Sequence, residues 1–367
     1  MTATAELASE HPTTPAQVAE ALAGRLFEAG LGAFELACVH LGVRLGLYRT
    51  LSEAGPRTAT ALADAAGIDR RYALEWCEQQ AAAGLLAVDD VTAPADARRF
   101  TLPAGSEAVL IDPDSPAYLA PMGGFVESLG RVFPALEQAY RQGTGVPYAD
   151  YDVQDVQAAF NRPVFTGLLV QQWLPAIPDL HARLTQGGRV AELGCGEGWA
   201  AVALAKGYPS LWVDAFDSDD ASIAAARRLA AEHQVADRVR FEVADVTGPA
   251  LEGRYDAVFA FEILHDLARP VDALRTARRL TETGPVIVMD ERTAETFTAP
   301  ADPIERFLYS ASVLHCLPVG RVDQPSAATG TVLRPDTMRR YGTEAGFRSI
   351  EVLPIEHDMF RFYRLER

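Results

Sequence analysis

The chain has 367 residues, of which 49% are hydrophobic and 23% charged, proportions that suit a folded globular protein with material for two domains. Its formal net charge of −17 makes the surface acidic, which repels phosphate backbones and anionic headgroups, so neither nucleic acid nor a membrane is expected as the main partner. The N-terminal MTATAELASEHPTTPAQ has no basic start and no apolar core of a signal peptide, no apolar run is expected to reach membrane-spanning length, and the expected location is the cytoplasm.

Residues 17–48 carry alanine and leucine at helical spacing. The stretch PRTATALADAAGIDRRYALEWCEQQAAAGLLAVDD then predicts a short helix opened by a threonine, a turn at Gly67-Ile68-Asp69 and a longer helix ending at Gly84. Two short strands, 85–88 and 99–102, complete a winged helix within a first domain spanning residues 1–112. Its second helix carries Asp69, Arg70, Arg71, Glu75 and Glu78, so acids outnumber bases where a reader of DNA shows a basic footprint. The module is therefore expected to be structural, and its apolar helices predict a homodimer formed through the N-terminal domain.

Residues 113–183 read as aromatic-rich helices broken by the loop RQGTGVPYADYD, a connector and substrate cap. From 184 to 367 the texture changes. Strands predicted at 189–193, 211–216, 239–243, 257–261 and 285–289 alternate with helical segments, the βαβ rhythm of an α/β, Rossmann-like parallel sheet. Two last strands, 349–353 and 359–365, are joined by a link too short for a helical crossover and should be antiparallel, giving seven strands. Cys38, Cys77, Cys195 and Cys316 lie far apart with no metal-ligand spacing and read as reduced thiols, so no metal is expected.

The first of these strands ends in VAELGCGEGW, with Glu192 ahead of Gly194, Gly196 and Gly198. Glycines at every second position after an apolar run mark a tight turn that some ligand approaches closely. In an open α/β sheet that ligand lies at the carboxyl edge of the strands. The spacing departs from G-x-G-x-x-G, with the bulky Trp199 following Gly198, and no Lys-Ser/Thr pair follows to make a phosphate loop. Asp217 ends the second strand about twenty residues on, where a carboxylate accepts ribose hydroxyls. Asp219 and Asp220 are expected to cap the next helix.

The E-x-G-x-G-x-G stretch resembles the first motif of class I S-adenosylmethionine-dependent methyltransferases. That resemblance implies S-adenosylmethionine as cofactor, S-adenosylhomocysteine as its product, and a donor site of Glu192, Gly194, Gly196, Gly198, Asp217, Asp245, Val246 and Phe261. Asp245 would bond the adenine amino group and Val246 pack on the ring. Further on, FEILHDLARP resembles the LHDW segment of small-molecule O-methyltransferases that carry an N-terminal winged helix. In them the histidine matching His265 deprotonates the acceptor, a task suited to a side chain titrating near neutral pH. Here Leu267 stands where they have tryptophan, His265 is expected at the start of a helix, and Asp290 would orient the base.

The segment ERFLYSASVLHCLPVG reads as a helix and loop over a pocket mouth, and TGTVLRPDTMRRYGTEAGF is similar to the C-terminal region of the same enzymes. Candidate acceptor contacts are Phe125, Tyr148, Phe160, Asn161, Phe165, Tyr309 and His315, within a wider, mostly aromatic pocket lining that includes Met122, Tyr151, Trp173 and Phe307. Apolar walls with few polar groups imply a small apolar or aromatic acceptor. O-methylation is the leading reading. N-, C- or S-methylation and a cofactor-binding winged-helix regulator stand beside it.

Overall fold

The computed structural model describes residues 14–281 and 283–367, and the chain divides into two compact units with the boundary between Ile111 and Asp112. In the first unit, helix α1 (Pro15–Arg44) opens with a capping box. The Thr14 side chain accepts from the Gln17 N–H, the Gln17 side chain reaches back to the Thr14 N–H, and Pro15 takes the first helical position. Helix α2 (Leu47–Ala54) follows, then strand β1 (Arg57–Thr58). Thr58 caps α3 (Ala59–Ala66), Gly67 ends it in the left-handed region at φ 68°, and Asp69 caps α4 (Arg70–Ala82). Strands β2 (Ala87–Val88) and β3 (Arg99–Thr101) pair antiparallel and make the wing. The added strand β1, which no sequence signal announced, pairs with β3. A single turn, α5 (Glu107–Leu110), closes the unit.

Helix α1 buries only Val39 and Gly42, while Leu22, Leu26, Phe27, Leu31 and Phe34 are exposed. By length and composition it is the one described helix that meets the requirement for crossing a membrane, which corrects the expectation that no run reaches that length. The reason is spacing: Glu20, Arg25, Glu28 and Glu35 are spread thinly along an Ala- and Leu-rich helix.

The second unit begins with α6 (Met122–Gln142) and α7 (Gln154–Val164), the latter running on as a π-helical stretch over Phe165–Trp173. Helix α8 (Pro178–Gln186) leads into the sheet. Its strands are β4 (Gly188–Leu193), β5 (Leu211–Asp217), β6 (Val239–Val243), β7 (Ala257–Phe261), β8 (Val286–Glu291), β9 (Ser349–Val352) and β10 (Phe360–Glu366). They lie in the order β6-β5-β4-β7-β8-β10-β9. The first five are parallel, and β10 runs antiparallel to both β8 and β9.

Alternate residues of the parallel strands enter two separate cores, Val190, Phe259 and Ile287 on one face and Ala191, Val258 and Val288 on the other. A sheet buried on both faces explains why these strands read as continuous apolar runs. Helices α9 (Trp199–Gly207) and α10 (Asp220–Glu232) follow β4 and β5, and α11 (Pro270–Leu280) follows β7. Asp219 caps α10 by accepting from the Ser222 N–H. The 113–183 stretch, expected as a connector, packs within this unit: Leu169 and Trp173 join the same core as Val190.

Two local expectations are corrected. Leu264–Asp266 form a turn rather than the start of a helix. Pro270 supplies the first helical position, because its fixed φ is already helical there. The segment after α12 (Pro303–Ala311) stays helical, through a π turn over Ser312–Cys316 and α13 (Leu317–Gly320), where a loop was expected. Helix α14 (Pro335–Glu344) then precedes β9.

Gly42 shows how tightly the first unit packs. A Cβ there would sit 2.4 Å from the Trp76 ring and 2.9 Å from Tyr48, themselves an edge-on pair with centroids 5.2 Å apart. Gly42→Ala should therefore cost about 1–3 kcal/mol, read as a lowered thermal unfolding midpoint. Gly30→Ala, on the same helix but with nothing near its Cβ, should instead stabilise by about 0.5–1 kcal/mol.

Candidate active site

At the tip of β4 the chain turns through Gly194, Gly196 and Gly198, all left-handed at φ 72°, 50° and 86°. A Cβ on Gly194 would collide with Ile263 at 2.0 Å, whereas one on Gly196 would meet nothing within 4 Å and so faces open space. The turn is pinned by neighbouring β5. The N–H groups of Gly194 and Cys195 donate to the Phe216 carbonyl at 2.7 and 3.0 Å, and the Gly196 N–H donates to Asp217 Oδ2 at 2.8 Å. Asp217 Oδ1 accepts from the Asp219 N–H at 3.0 Å.

These groups bound a cleft of about 240 Å³, whose walls include Glu192, Gly194, Gly196, Gly198, Asp217 and Phe261, and also Tyr148, Asn161 and Phe165. Glu192 is 2% exposed and its Oε2 has no hydrogen-bond partner. Burial, helped by the Asp217 charge, pushes its pKa up to about 8. Burial also raises Asp217, against the N–H groups of Asp219 and Gly196 that favour its charged form.

Asp245 and Val246 stand apart from these walls. Asp245 Oδ1 accepts from the Thr247 N–H and hydroxyl at 2.8 and 2.6 Å, and its Oδ2 lies 3.2 Å from Arg269. Val246 is buried in the core with Phe216 and Leu264.

A second cavity, about 190 Å³, adjoins the cleft through the shared wall of Gln157, Asn161 and Glu262. Phe125, Phe160, His265 and His315 line it, as do Met122, Tyr151 and Phe307. Tyr309 lines neither: its hydroxyl is held by Arg334 at 2.9 Å. Trp173 belongs to the core, edge-on to Phe362 at 4.8 Å.

His265 is 4% exposed between two carboxylates. Its Nδ1 lies 2.8 Å from Asp290 Oδ1 and its Nε2 3.4 Å from Asp266 Oδ1. Asp290, though shorter than glutamate, reaches the ring because β7 and β8 are adjacent, and the Glu291 N–H donates to the same oxygen at 2.9 Å. Burial alone would lower the imidazole pKa. Asp290, then Asp266 and Cys316, outweigh it and hold the pKa well above 6.5.

Several groups here escaped the sequence reading. Glu262 adopts φ 53° in the turn after β7 and donates its N–H to the Met289 carbonyl at 2.8 Å. Glu291, Cys316 and Thr331 line the second cavity beside it. The two glutamates had a signal, since each neighbours a chosen residue in FEILHD and MDER. Cys316 also brings its sulfur into a trio with Asp266 and His265 whose ligand-type atoms lie within 4.8 Å of one another, which spacing along the chain does not reveal. Burial keeps that thiol protonated, with its pKa pushed up to about 12.

Residues 184–307 match the family described as "Methyltransferase domain", and residues 33–111 match the "Rv2258c-like winged HTH domain". No curated protein matches the chain by sequence. Among solved structures, mitomycin 7-O-methyltransferase MmcR is 22% identical with a TM-score of 0.67, over 95% of this chain and 99% of that one. An O-methyltransferase family protein from Burkholderia thailandensis is 18% identical with a TM-score of 0.68, over 94% and 98%. Human N-acetylserotonin methyltransferase, solved with S-adenosylmethionine, is 17% identical with a TM-score of 0.70, over 94% and 97%. Likeness at this identity establishes a shared fold.

The pairing of His265 with Asp290 has a measurable signature. By NMR the ring should remain protonated above pH 6.5, and Asp290→Asn should bring its pKa down. Since the folded pKa exceeds the unfolded one, the pair's contribution to stability is complete below about pH 6.5 and is lost as pH rises through the folded value. Asp290→Asn should flatten that part of the stability–pH curve.

Proposed function

We propose that this chain, an S-adenosylmethionine-dependent methyltransferase with an N-terminal winged helix, methylates an oxygen of a small, apolar or aromatic molecule. The observation that carries this reading is the adjacency of a glycine-walled cleft and an apolar cavity with His265 beside their common wall. The donor fits the residues present. Gly196 leaves bare backbone facing open space, Glu192 keeps an unpartnered buried oxygen, and no lysine or arginine lines the cleft. Such a wall suits a cationic sulfonium, an amino group and ribose hydroxyls, and it does not suit a pyrophosphate.

Glu192, the glycine turn, Asp217 and Phe261 would hold the donor, and Asp245 with Val246 remain the proposed adenine contacts. When bound, S-adenosylmethionine supplies an electrophilic methyl on a positive sulfur and leaves as S-adenosylhomocysteine. The residues of the two walls then serve mainly alignment, which can supply on the order of 7–11 kcal/mol of the barrier. His265 Nε2 takes the acceptor's hydroxyl proton, while Asp290 holds Nδ1–H and so fixes which nitrogen is free. Because the carboxylates raise its pKa, His265 is charged at neutral pH and becomes a base only as pH rises. Turnover should accordingly climb with pH above 6.5. His265→Gln should cut turnover by about 10²–10⁴-fold while S-adenosylhomocysteine binds in the calorimeter as it does to the parent. Full turnover in that variant would move the reading to nitrogen, carbon or sulfur methylation.

The winged helix supports assembly better than nucleic-acid binding. Arg70 pairs with Asp64, Arg71 with Glu75 and Arg98 with Glu78, so both arginines that open the second helix of the motif, and Arg98 of the wing, are neutralised within the unit. The apolar face of α1 is proposed as the homodimer contact. Light scattering should give a dimer for the parent, and Phe27→Glu with Phe34→Glu should give a monomer with its fold intact. A parent that scatters as a monomer removes the dimer.

A further inference from the structure

Glu262 and Glu291 have no part in the chemistry above, yet both line the acceptor cavity alongside His265. They arrive there from different elements. Glu262 sits in the strained turn after β7, and Glu291 ends β8, next to the Met289 carbonyl that accepts the Glu262 N–H. The Oε2 atom of each is closed to solvent and has no hydrogen-bond partner. A carboxylate in that state is costly unless something completes it. Two further polar atoms of the same cavity are equally unsatisfied: His315 Nε2, and the hydroxyl of Thr331, a residue 1% exposed, which has no nitrogen or oxygen partner.

A positive group would complete both oxygens at once and let both acids ionise. Among the residues lining the two cavities there is no lysine and no arginine, and His265 already holds Asp290 by a hydrogen bond through Nδ1. The donor's sulfonium accounts for part of the charge at most: Glu262 lines both cavities, whereas Glu291 lines only the acceptor's. Burial first, and repulsion from neighbouring carboxylates, raise both acids against the opposing pull of the His265 charge, Glu262 to about 7 and Glu291 well above its ordinary value, so without a further cation the pair retains protons. The aromatic walls add to the case, since Phe307, Phe360 and Tyr151 line the cavity and aromatic rings can attract cations.

We propose that Glu262 and Glu291 form a cation subsite and that the methyl acceptor carries a protonated amine seated between them. The inference rests on the methyltransferase reading for the identity of the acceptor cavity, and it narrows the acceptor to amine-bearing aromatic or apolar molecules. The carboxylates hold the amine in the cavity that His265 also lines.

Three phenols of similar size test it: tyramine (positive), tyrosol (neutral) and 3-(4-hydroxyphenyl)propionate (negative). Calorimetry on the full chain saturated with S-adenosylhomocysteine should show tyramine binding at least about tenfold tighter than tyrosol, and the propionate not at all. Glu291→Gln should erase the preference while S-adenosylhomocysteine still binds as to the parent, which also reports that the variant is folded. Tyramine binding no better than tyrosol, or not at all, overturns the subsite, as does a preference that persists in a Glu262→Gln, Glu291→Gln double variant. Those results leave the methyltransferase reading standing if S-adenosylhomocysteine binds. If it does not bind, that reading falls and the subsite loses its premise.

Discussion

The bond between Asp290 and His265 Nδ1 ties the turn after β7 to the tip of β8, and the second cavity is built beside that tie. It pins the turn holding Glu262 and Asp266, which a second bond, from the Glu262 N–H to the Met289 carbonyl, also fastens to β8. Without the tie, a buried histidine and four nearby carboxylates would have no arrangement in which their charges are balanced. With it, one proton sits between imidazole and aspartate, and the remaining acids face the cavities. On the other side of the common wall Asp217 has the same kind of task, gripping the backbone of the glycine turn and the start of α10. Both tips of the sheet are thus organised by a buried carboxylate that works on its neighbours.

The readable features were those in which local chemistry and the fold ask for the same residue. Gly194 must be glycine both because φ is positive and because Ile263 leaves no room for a Cβ, so the turn stood out in the sequence. The strand rhythm was legible because a sheet buried on both faces demands continuous apolar runs. Thr58 and Asp69 announced helices by capping chemistry alone.

What escaped depended on contacts between distant segments. Glu262 and Glu291 lie 29 positions apart in sequence and meet only because β7 and β8 are neighbours. Tyr309 looked like a pocket aromatic, but Arg334, from the start of another helix, holds its hydroxyl elsewhere. Asp245 sits at the strand end that its spacing suggested, but its bonds to Thr247 and, across 24 positions, to Arg269 were not legible there. The helix expected at His265 gave way to Pro270, a signal that was present and underweighted. The apolarity of α1 was hidden because its few charges are spaced widely enough to leave a long apolar window between them.

Gln157, Asn161 and Glu262 form a partition with a compartment on either side. A compound joining an adenosine-like half to an amine-bearing half by a short tether would engage both compartments with a single loss of translational freedom. The second half would then bind at the high local concentration set by the tether rather than by the solution. If the two compartments hold the donor and the amine as proposed, their shared wall makes the protein a target for two-headed inhibitors.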